Sequence, residues 1–434
     1  METNYLIILG LLLGLLAATV PVFMALFFTG MVGLVVLSGL GIDPQIVIEV
    51  LYRSMDKFAL VVVLFFVLCG NIMTTGSIVS KLIKTANTLV GFLPGGLSMA
   101  GVLACGFFGA ISGSTVATVV AIGGFMIPAL IENEYDEQFS VGIMTTAPIL
   151  GVIIPPSISM ILYSMVTNDA LETLFLTGFI PGFLIMFGMS LYAYFYCKRR
   201  KFKVVARPSF GELTATLRES VWALLLPVLI FGGIYSGIFT ANEAAVVACF
   251  YAFFVELFIH KDMQLRDVKK VVVSSAVTSS TLLVIVAGAS VFGEYLTFEQ
   301  IPDKIANAVV ANIQTPWVFL LAVNCLLLVV GMFMDIISAT LILTPIFLPL
   351  LAKFGIDTMH FGLLMTLNLG IGYCTPPLGV SLYISGAVAD RNLIYVSRAV
   401  VPFLLIQIAI LLLLTYWPDL VLLLPKLVYN YGAN

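Results

Sequence analysis

Apolar runs of about 20 residues recur from one end of the chain to the other. They fall near 5–20, 22–40, 58–76, 97–130, 140–165, 175–197, 220–237, 241–260, 271–293, 315–351, 361–387 and 396–424. Each is long enough to cross the ~30 Å hydrocarbon layer of a bilayer. The strict alternation of a membrane β-barrel is absent, so the pattern predicts helical spans. Two runs, 97–130 and 315–351, are too long for one straight crossing and are interrupted at their middles. Gly109, Ser112, Gly113, Ser114 and Thr115 break the first; Gly331, Asp335, Ser338 and Thr340 break the second. Re-entrant helical hairpins are the economical reading. Their turns reach membrane depth, where irregular backbone survives only inside protein or facing a water-filled site.

Composition agrees with this picture. Of 434 residues, 61% are apolar and 10% charged, against about 25% charged in soluble domains. The formal charge of −3, without a basic aromatic patch, argues against a nucleic-acid partner. The cysteines (Cys69, Cys105, Cys197, Cys249, Cys325, Cys374) lie in or beside apolar runs without metal-type spacing and read as small buried hydrophobes. The chain opens Met-Glu without a basic leader, so its first apolar stretch reads as a retained span.

Charge placement sets an orientation. If each hairpin enters and leaves on one side, and the stretch Lys198, Arg199, Arg200, Lys201, Lys203, Arg207 is cytoplasmic, the same side receives Lys81, Lys84, Arg218, Lys261, Arg266, Lys269, Lys270, Arg391 and Arg398. That is fifteen of the twenty basic residues, leaving Arg53, Lys57, Lys304, Lys353 and Lys426 outside. The bias is the positive-inside signature and predicts ten full crossings plus two hairpins, with both termini outside.

The halves repeat. A shift of 221 positions pairs Pro128 with Pro349, Leu130 with Leu351, Asp136 with Asp357, Met144 with Met365, Thr145 with Thr366 and Gly151 with Gly372. It then pairs Pro155 and Pro156 with Pro376 and Pro377, Ser164 with Ser385, Asp169 with Asp390 and Pro181 with Pro402. Five crossings per half is an odd number, so the repeats sit upside down relative to each other. The predicted fold is an all-α polytopic membrane protein of two inverted repeats, each with a re-entrant hairpin and a broken helix. Residues 1–197 form the first repeat (hairpin 97–130, broken helix 140–165). Residues 198–219 form a basic cytoplasmic linker, in part an amphipathic surface helix, and 220–434 the second repeat (hairpin 315–351, broken helix 361–387). Inverted repeats with paired helix breaks are the mark of secondary transporters.

The chemistry concentrates where helices break. Pro155-Pro156 and Pro376-Pro377 each remove two N–H donors and crowd the preceding carbonyls, so each helix must unwind. Unwinding frees carbonyl oxygens, which are sodium ligands, and starts a half-helix whose N-terminus attracts a carboxylate. A single proline break is usually only a kink; a symmetric pair, each following a serine- or aspartate-bearing hairpin, favours the functional reading. Gly109 and Gly113 also form a small-xxx-small helix-packing pair. Asp335 takes the place of Ser114 under the shift, and an aspartate inside an apolar run is a functional candidate by default. Glu243 and Glu256 are weaker candidates near span ends, and His260 and His360 have no serine or cysteine partner in view. No nucleotide-binding P-loop, HExxH or metal cluster is evident, and nothing supports a channel or an intramembrane enzyme. Hydroxyls and carbonyls dominate both breaks, which favours sodium over proton coupling.

Gly109-Ala-Ile-Ser112-Gly113-Ser114-Thr115-Val-Ala-Thr118, Ile154-Pro155-Pro156-Ser157, Gly331-Met-Phe-Met-Asp335 and Gly370-Ile-Gly372-Tyr-Cys-Thr375-Pro376-Pro377-Leu-Gly379 together resemble the large membrane subunit of tripartite ATP-independent periplasmic (TRAP) transporters. The resemblance covers essentially the whole chain and implies the elevator-type fold of the ion transporter superfamily. It implies a bacterial inner-membrane importer of an organic acid, sialic acid or a C4-dicarboxylate, driven by sodium. It also implies a periplasmic substrate-binding protein and a small four-helix membrane subunit, here a separate polypeptide. Carried over, Ser112, Gly113, Ser114, Gly151 and Pro155 would surround one sodium ion. Asp335, Thr340, Gly370, Gly372 and Thr375 would surround a second, with the substrate near Ser114, Ser157, Asp335 and Thr375. A self-sufficient sodium or proton symporter of similar fold is the alternative.

Overall fold

In the hydrocarbon layer only a helix satisfies its own backbone along a single segment. The computed structural model describes residues 2–37, 43–200, 202 and 207–432, and the regular structure among them is helical throughout. The first half holds α1 (Glu2–Ala17) and α2 (Val22–Met31), which runs on as a π-helical stretch to Leu37, then α3 (Pro44–Met55), α4 (Ala59–Thr75) and α5 (Ile78–Val90). There follow α6 (Gly96–Ser112), α7 (Thr115–Thr118), a π-helical link, α8 (Gly124–Glu132), α9 (Glu137–Thr146), α10 (Leu150–Ile153), α11 (Ile158–Thr167) and α12 (Leu171–Arg200). The second half holds α13 (Phe210–Tyr235), α14 (Ala241–Phe254), which continues π-helically to His260, α15 (Leu265–Phe298) and α16 (Ile301–Asn312). It ends with α17 (Pro316–Phe333), α18 (Ile336–Phe354), α19 (Thr358–Gly372), α20 (Val380–Ala389), α21 (Leu393–Tyr416) and α22 (Pro418–Tyr429).

Helix boundaries obey the offset seen in the sequence. The start of α18 is the start of α7 plus 221 (336 − 115), and the start of α19 is that of α9 plus 221 (358 − 137). The ends of α6 and α17, Ser112 and Phe333, differ by the same 221. Capping explains part of the register. Asp136 accepts from the Phe139 N–H at 2.9 Å to open α9, and Asp357 accepts from the His360 N–H at 2.9 Å to open α19. One counterpart diverges: α15 runs unbroken for 34 residues, whereas α3 and α4 meet at a 54° bend.

Among the described residues nine helices are long and apolar enough to cross a bilayer, or ten if the bent pair α3–α4 is one span. Three of the nine are hairpin arms: residues 115–132, α17 and α18; α1 and α2 are shorter apolar helices. The run 396–424 is two helices, since Pro418 opens α22 after α21 ends at Tyr416. The basic stretch is divided: Lys198, Arg199 and Arg200 finish α12, and α13 opens at Phe210 with a Ser209–Glu212 capping box. Lys201 and Lys203 lie outside the described residues. Cys325 is exposed, unlike the other five cysteines, because it lies on an outward face of α17.

Two bundles emerge. α2, α3, α4, α14 and α15 pack together, while α6 and α10 with α12, α9 with α21, and α17 with α19 make the other. The bundles meet where α4 touches α6 and α11, and where α15 touches α18. Two amphipathic helices bridge them symmetrically: α5 from α13 to α6, and α16 from α15 to α18. Side-chain links respect the predicted division into two ends. Lys84–Glu219 at 2.6 Å, Arg200–Asp136 at 3.1 Å and Arg391–Glu137 at 2.6 Å join positions assigned to one end. Lys353–Asn307, Thr358–Asp169 and Tyr431–Asp357 join positions assigned to the other. Outside the spans, the Glu137 carboxylate holds the Arg391 guanidinium above its ordinary range through a hydrogen bond and its charge.

Candidate functional site

Each hairpin's first arm ends where the backbone leaves the helical conformation. Gly113 takes a φ of +60°, which closes α6, and Ser114, in extended conformation, caps the next arm. In the other hairpin Met334 is extended and Asp335 caps α18. The two caps occupy equivalent positions but differ in strength. Ser114 Oγ accepts from the Ala117 N–H at 3.4 Å, whereas Asp335 Oδ2 accepts from the Ser338 N–H at 2.8 Å. The second tip therefore carries a carboxylate that already answers its own helix dipole; the first tip is neutral.

Backbone-to-backbone packing holds each hairpin on its broken helix. A Cβ at Gly109 would lie 2.6 Å from Gly151 Cα, and one at Gly372 would lie 2.6 Å from Gly331 Cα. Only glycine permits such an approach, so the Gly151/Gly372 identity in the repeat is a packing requirement. After α10, Ile154 is extended and Pro155-Pro156 carries the chain to Ser157, whose Oγ faces the Met160 N–H at 3.5 Å. After α19, residues 373–379 make the corresponding turn before α20. Both Pro–Pro bonds are cis.

The two tips converge on one cavity of about 450 Å³ at the seam between the bundles. Ser112, Gly113, Ser114, Thr115, Asp335 and Tyr373 line one wall; Asn71, Thr278 and Leu282 of α4 and α15 line the opposite one. Of the sequence-predicted residues, Ser112, Gly113, Ser114 and Asp335 thus share a cavity wall. Gly151 stands directly behind, 2.9 Å from the Ser114 carbonyl oxygen by its would-be Cβ. Ser157 is fully buried behind the wall and reaches it through Ser159, Oγ to Oγ at 3.0 Å. Pro155, Thr340, Gly370, Gly372 and Thr375 are not on this wall. Thr340 Oγ1 donates to the Ile336 carbonyl and Thr375 Oγ1 to the Ile371 carbonyl, each at 2.7 Å, which leaves hydroxyl lone pairs open.

Oxygens without donors could hold a cation. Ser112 Oγ and Thr115 Oγ1 are buried with no hydrogen-bond partner among the described residues, as is Ser338 Oγ in the first turn of α18 at the second tip. Buried polar atoms are seldom left so, and hydroxyl and amide oxygens are hard-cation ligands.

Sequence reasoning missed the opposite wall and a buried relay. Asn71 Nδ2 donates to Ser275 Oγ at 2.8 Å, which holds its amide at the cavity. Asn368 Nδ2 donates to Asn324 Oδ1 at 2.6 Å, and Asn324 Nδ2 donates to Thr415 Oγ1 at 2.9 Å, tying α19, α17 and α21 together. Asn324 and Asn71 were both findable as carboxamides in apolar runs; Thr278 sits among ordinary polar neighbours and gains meaning only from the packing. Glu256 is also fully buried, deeper than its place near a span end suggests.

Residues 9–420 match the family described as "Tripartite ATP-independent periplasmic transporter, DctM component". The chain is 41% identical over 376 residues to the C4-dicarboxylate TRAP transporter large permease protein DctM of Pseudomonas aeruginosa, covering 87% of this chain and 88% of that one. It is 34% identical over 420 residues to the sialic acid TRAP transporter large permease protein SiaM of Vibrio cholerae, covering 97% and 98%. Its fold is similar to the crystal structure of the Alcanivorax borkumensis YdaH transporter, with a TM-score of 0.61 at 14% identity, over 87% of this chain and 90% of that one. By family match, long relatives and fold, this chain is a transporter permease subunit, not an enzyme, and belongs to the DctM component family of tripartite ATP-independent periplasmic transporters.

Proposed function

We propose that this chain imports an organic acid anion with sodium, taking it from a periplasmic binding protein and carrying it by an elevator displacement of the hairpins and broken helices against the other bundle. The observation that carries the reading is the meeting of both hairpin tips at one cavity on the bundle seam. A ligand held there touches both bundles, so sliding one past the other changes the side from which it is reached. Sodium belongs at both tips, beside the Asp335 carboxylate of the second and near the orphaned Ser112 and Thr115 hydroxyls of the first; the anion belongs between them, at the helix start whose Ser114 cap carries no charge. Sodium at Asp335 removes the repulsion that would otherwise exclude the anion, which couples the two.

The named substrates of the two relatives, a C4-dicarboxylate and sialic acid, are both carboxylic acids and supply the first candidates. In this reading a small membrane subunit completes the assembly, and the charge bias favours a periplasmic position for both termini.

Sodium binding has a direct readout, because a ligand that binds only the folded state raises thermal stability. The purified protein should melt higher in NaCl than in KCl at equal ionic strength, and Asp335→Asn or Ser112→Ala should remove most of the difference. Equal melting in the two salts, or an unchanged difference in both variants, would overturn sodium coupling at these tips.

A further inference from the structure

Away from the hairpins, α14 closes in a π-helical turn that carries Glu256, whose carboxylate is fully buried. Its Oε1 accepts from the Ser77 N–H at 2.9 Å and the Ile78 N–H at 2.8 Å, at the start of α5. Gly76 makes room for it, since a Cβ there would lie 2.1 Å from the carboxylate carbon. The other oxygen, Oε2, has no hydrogen-bond partner among the described residues. His260, one turn on and 4% exposed at its side chain, sets Nδ1 3.5 Å from that oxygen. Its Nε2 is likewise buried and without a partner among the described residues. Asp262, in the exposed turn that follows, brings a third donor, and the donor atoms of the three residues lie within 4.8 Å of one another.

We propose that Glu256, His260 and Asp262 form a binding site for a first-row divalent transition-metal ion at the joint between α14 and α5. Ligands held about 2.1 Å from a tetrahedral ion stand roughly 3.4 Å apart, which the 3.5 Å between Glu256 Oε2 and His260 Nδ1 already meets. Asp262 is an exposed side chain on a turn and closes the remaining distance without moving a helix. Ser77 Oγ, 3.2 Å from His260 Nδ1, supplies a further oxygen. An imidazole nitrogen with two carboxylates selects zinc or cobalt over calcium or magnesium, which call for six or more oxygens. An ion would satisfy the orphaned Glu256 Oε2, and the two N–H groups on Oε1 already fix the orientation of that carboxylate as outer-shell partners do. Lys81 of α5 repels positive charge at His260, but two carboxylates outweigh one ammonium. The site shares no residue with the hairpin cavity.

The test uses the full-length protein in detergent, stripped of metal and titrated with Zn²⁺ alone by calorimetry and with Co²⁺ by visible absorption. One ion should bind per chain with a Kd tighter than about 100 μM. His260→Ala and Asp262→Asn should each weaken it at least about tenfold and alter the Co²⁺ spectrum. Asp419→Asn, an exposed acid on α22, should change neither. Glu256→Gln is avoided because that residue also caps α5; the other two variants leave this cap in place, and unchanged melting in the absence of metal shows that they fold. Binding weaker than about 100 μM, or binding that both variants retain, overturns the site.

Discussion

Ser114 and Asp335 stand at equivalent places in the two repeats and do the same backbone task with different charge. An N-cap is worth about 0.5–2 kcal/mol. The short bond at Asp335 should place it near the upper end and the 3.4 Å contact at Ser114 near the lower. Denaturant titration in micelles should therefore show Asp335→Ala costing about 1–2 kcal/mol and Ser114→Ala about 0.5 kcal/mol. Equal losses would mean that the caps are equivalent and the tips are not divided as described. Asp335 and Ser112 were legible in the sequence because polar groups are conspicuous inside apolar runs. Asn71 is just as conspicuous in the run 58–76, but its role was not legible, since its contact with the cavity comes from α4 crossing the hairpin tips, a relation that no local spacing encodes.

At the scale of elements, the double-proline breaks and the hairpins were readable because each imposes a local backbone requirement. The bridging helices were not. α5 buries Ile78, Val79, Leu82, Ile83 and Ala86 while Lys84 and Asn87 face outward, so a search for continuous apolar runs passes over it. Hydropathy also merged α21 with α22, because Trp417 and Pro418 end one helix and open the next without a polar gap. What holds α17, α19 and α21 in register is the Asn368–Asn324–Thr415 relay. Interhelical hydrogen bonds in membranes average about 0.6 kcal/mol and reach about 1.7. Asn324→Leu removes two of them and should destabilise the protein by about 1–2 kcal/mol in the same titration. A change within error would show that the relay is incidental to the packing.

The whole molecule follows from one duplicated plan: helix ends that repeat every 221 residues, bundles joined by α5 and α16, and two tips that share a cavity. Family membership fixes the class of machine; the proposed coupling ion and moving part rest on the geometry of the tips, and the proposed hand-over from a binding protein rests on the family alone. The most direct test is uptake into proteoliposomes that hold this chain with its small partner subunit. Labelled succinate and sialic acid would be offered under an inward sodium gradient, with and without the cognate binding protein. Accumulation of one acid that requires both sodium and binding protein, and that Asp335→Asn abolishes, is the predicted result. Uptake that proceeds equally without binding protein, or in potassium alone, would contradict the account and identify a self-sufficient carrier on the same fold.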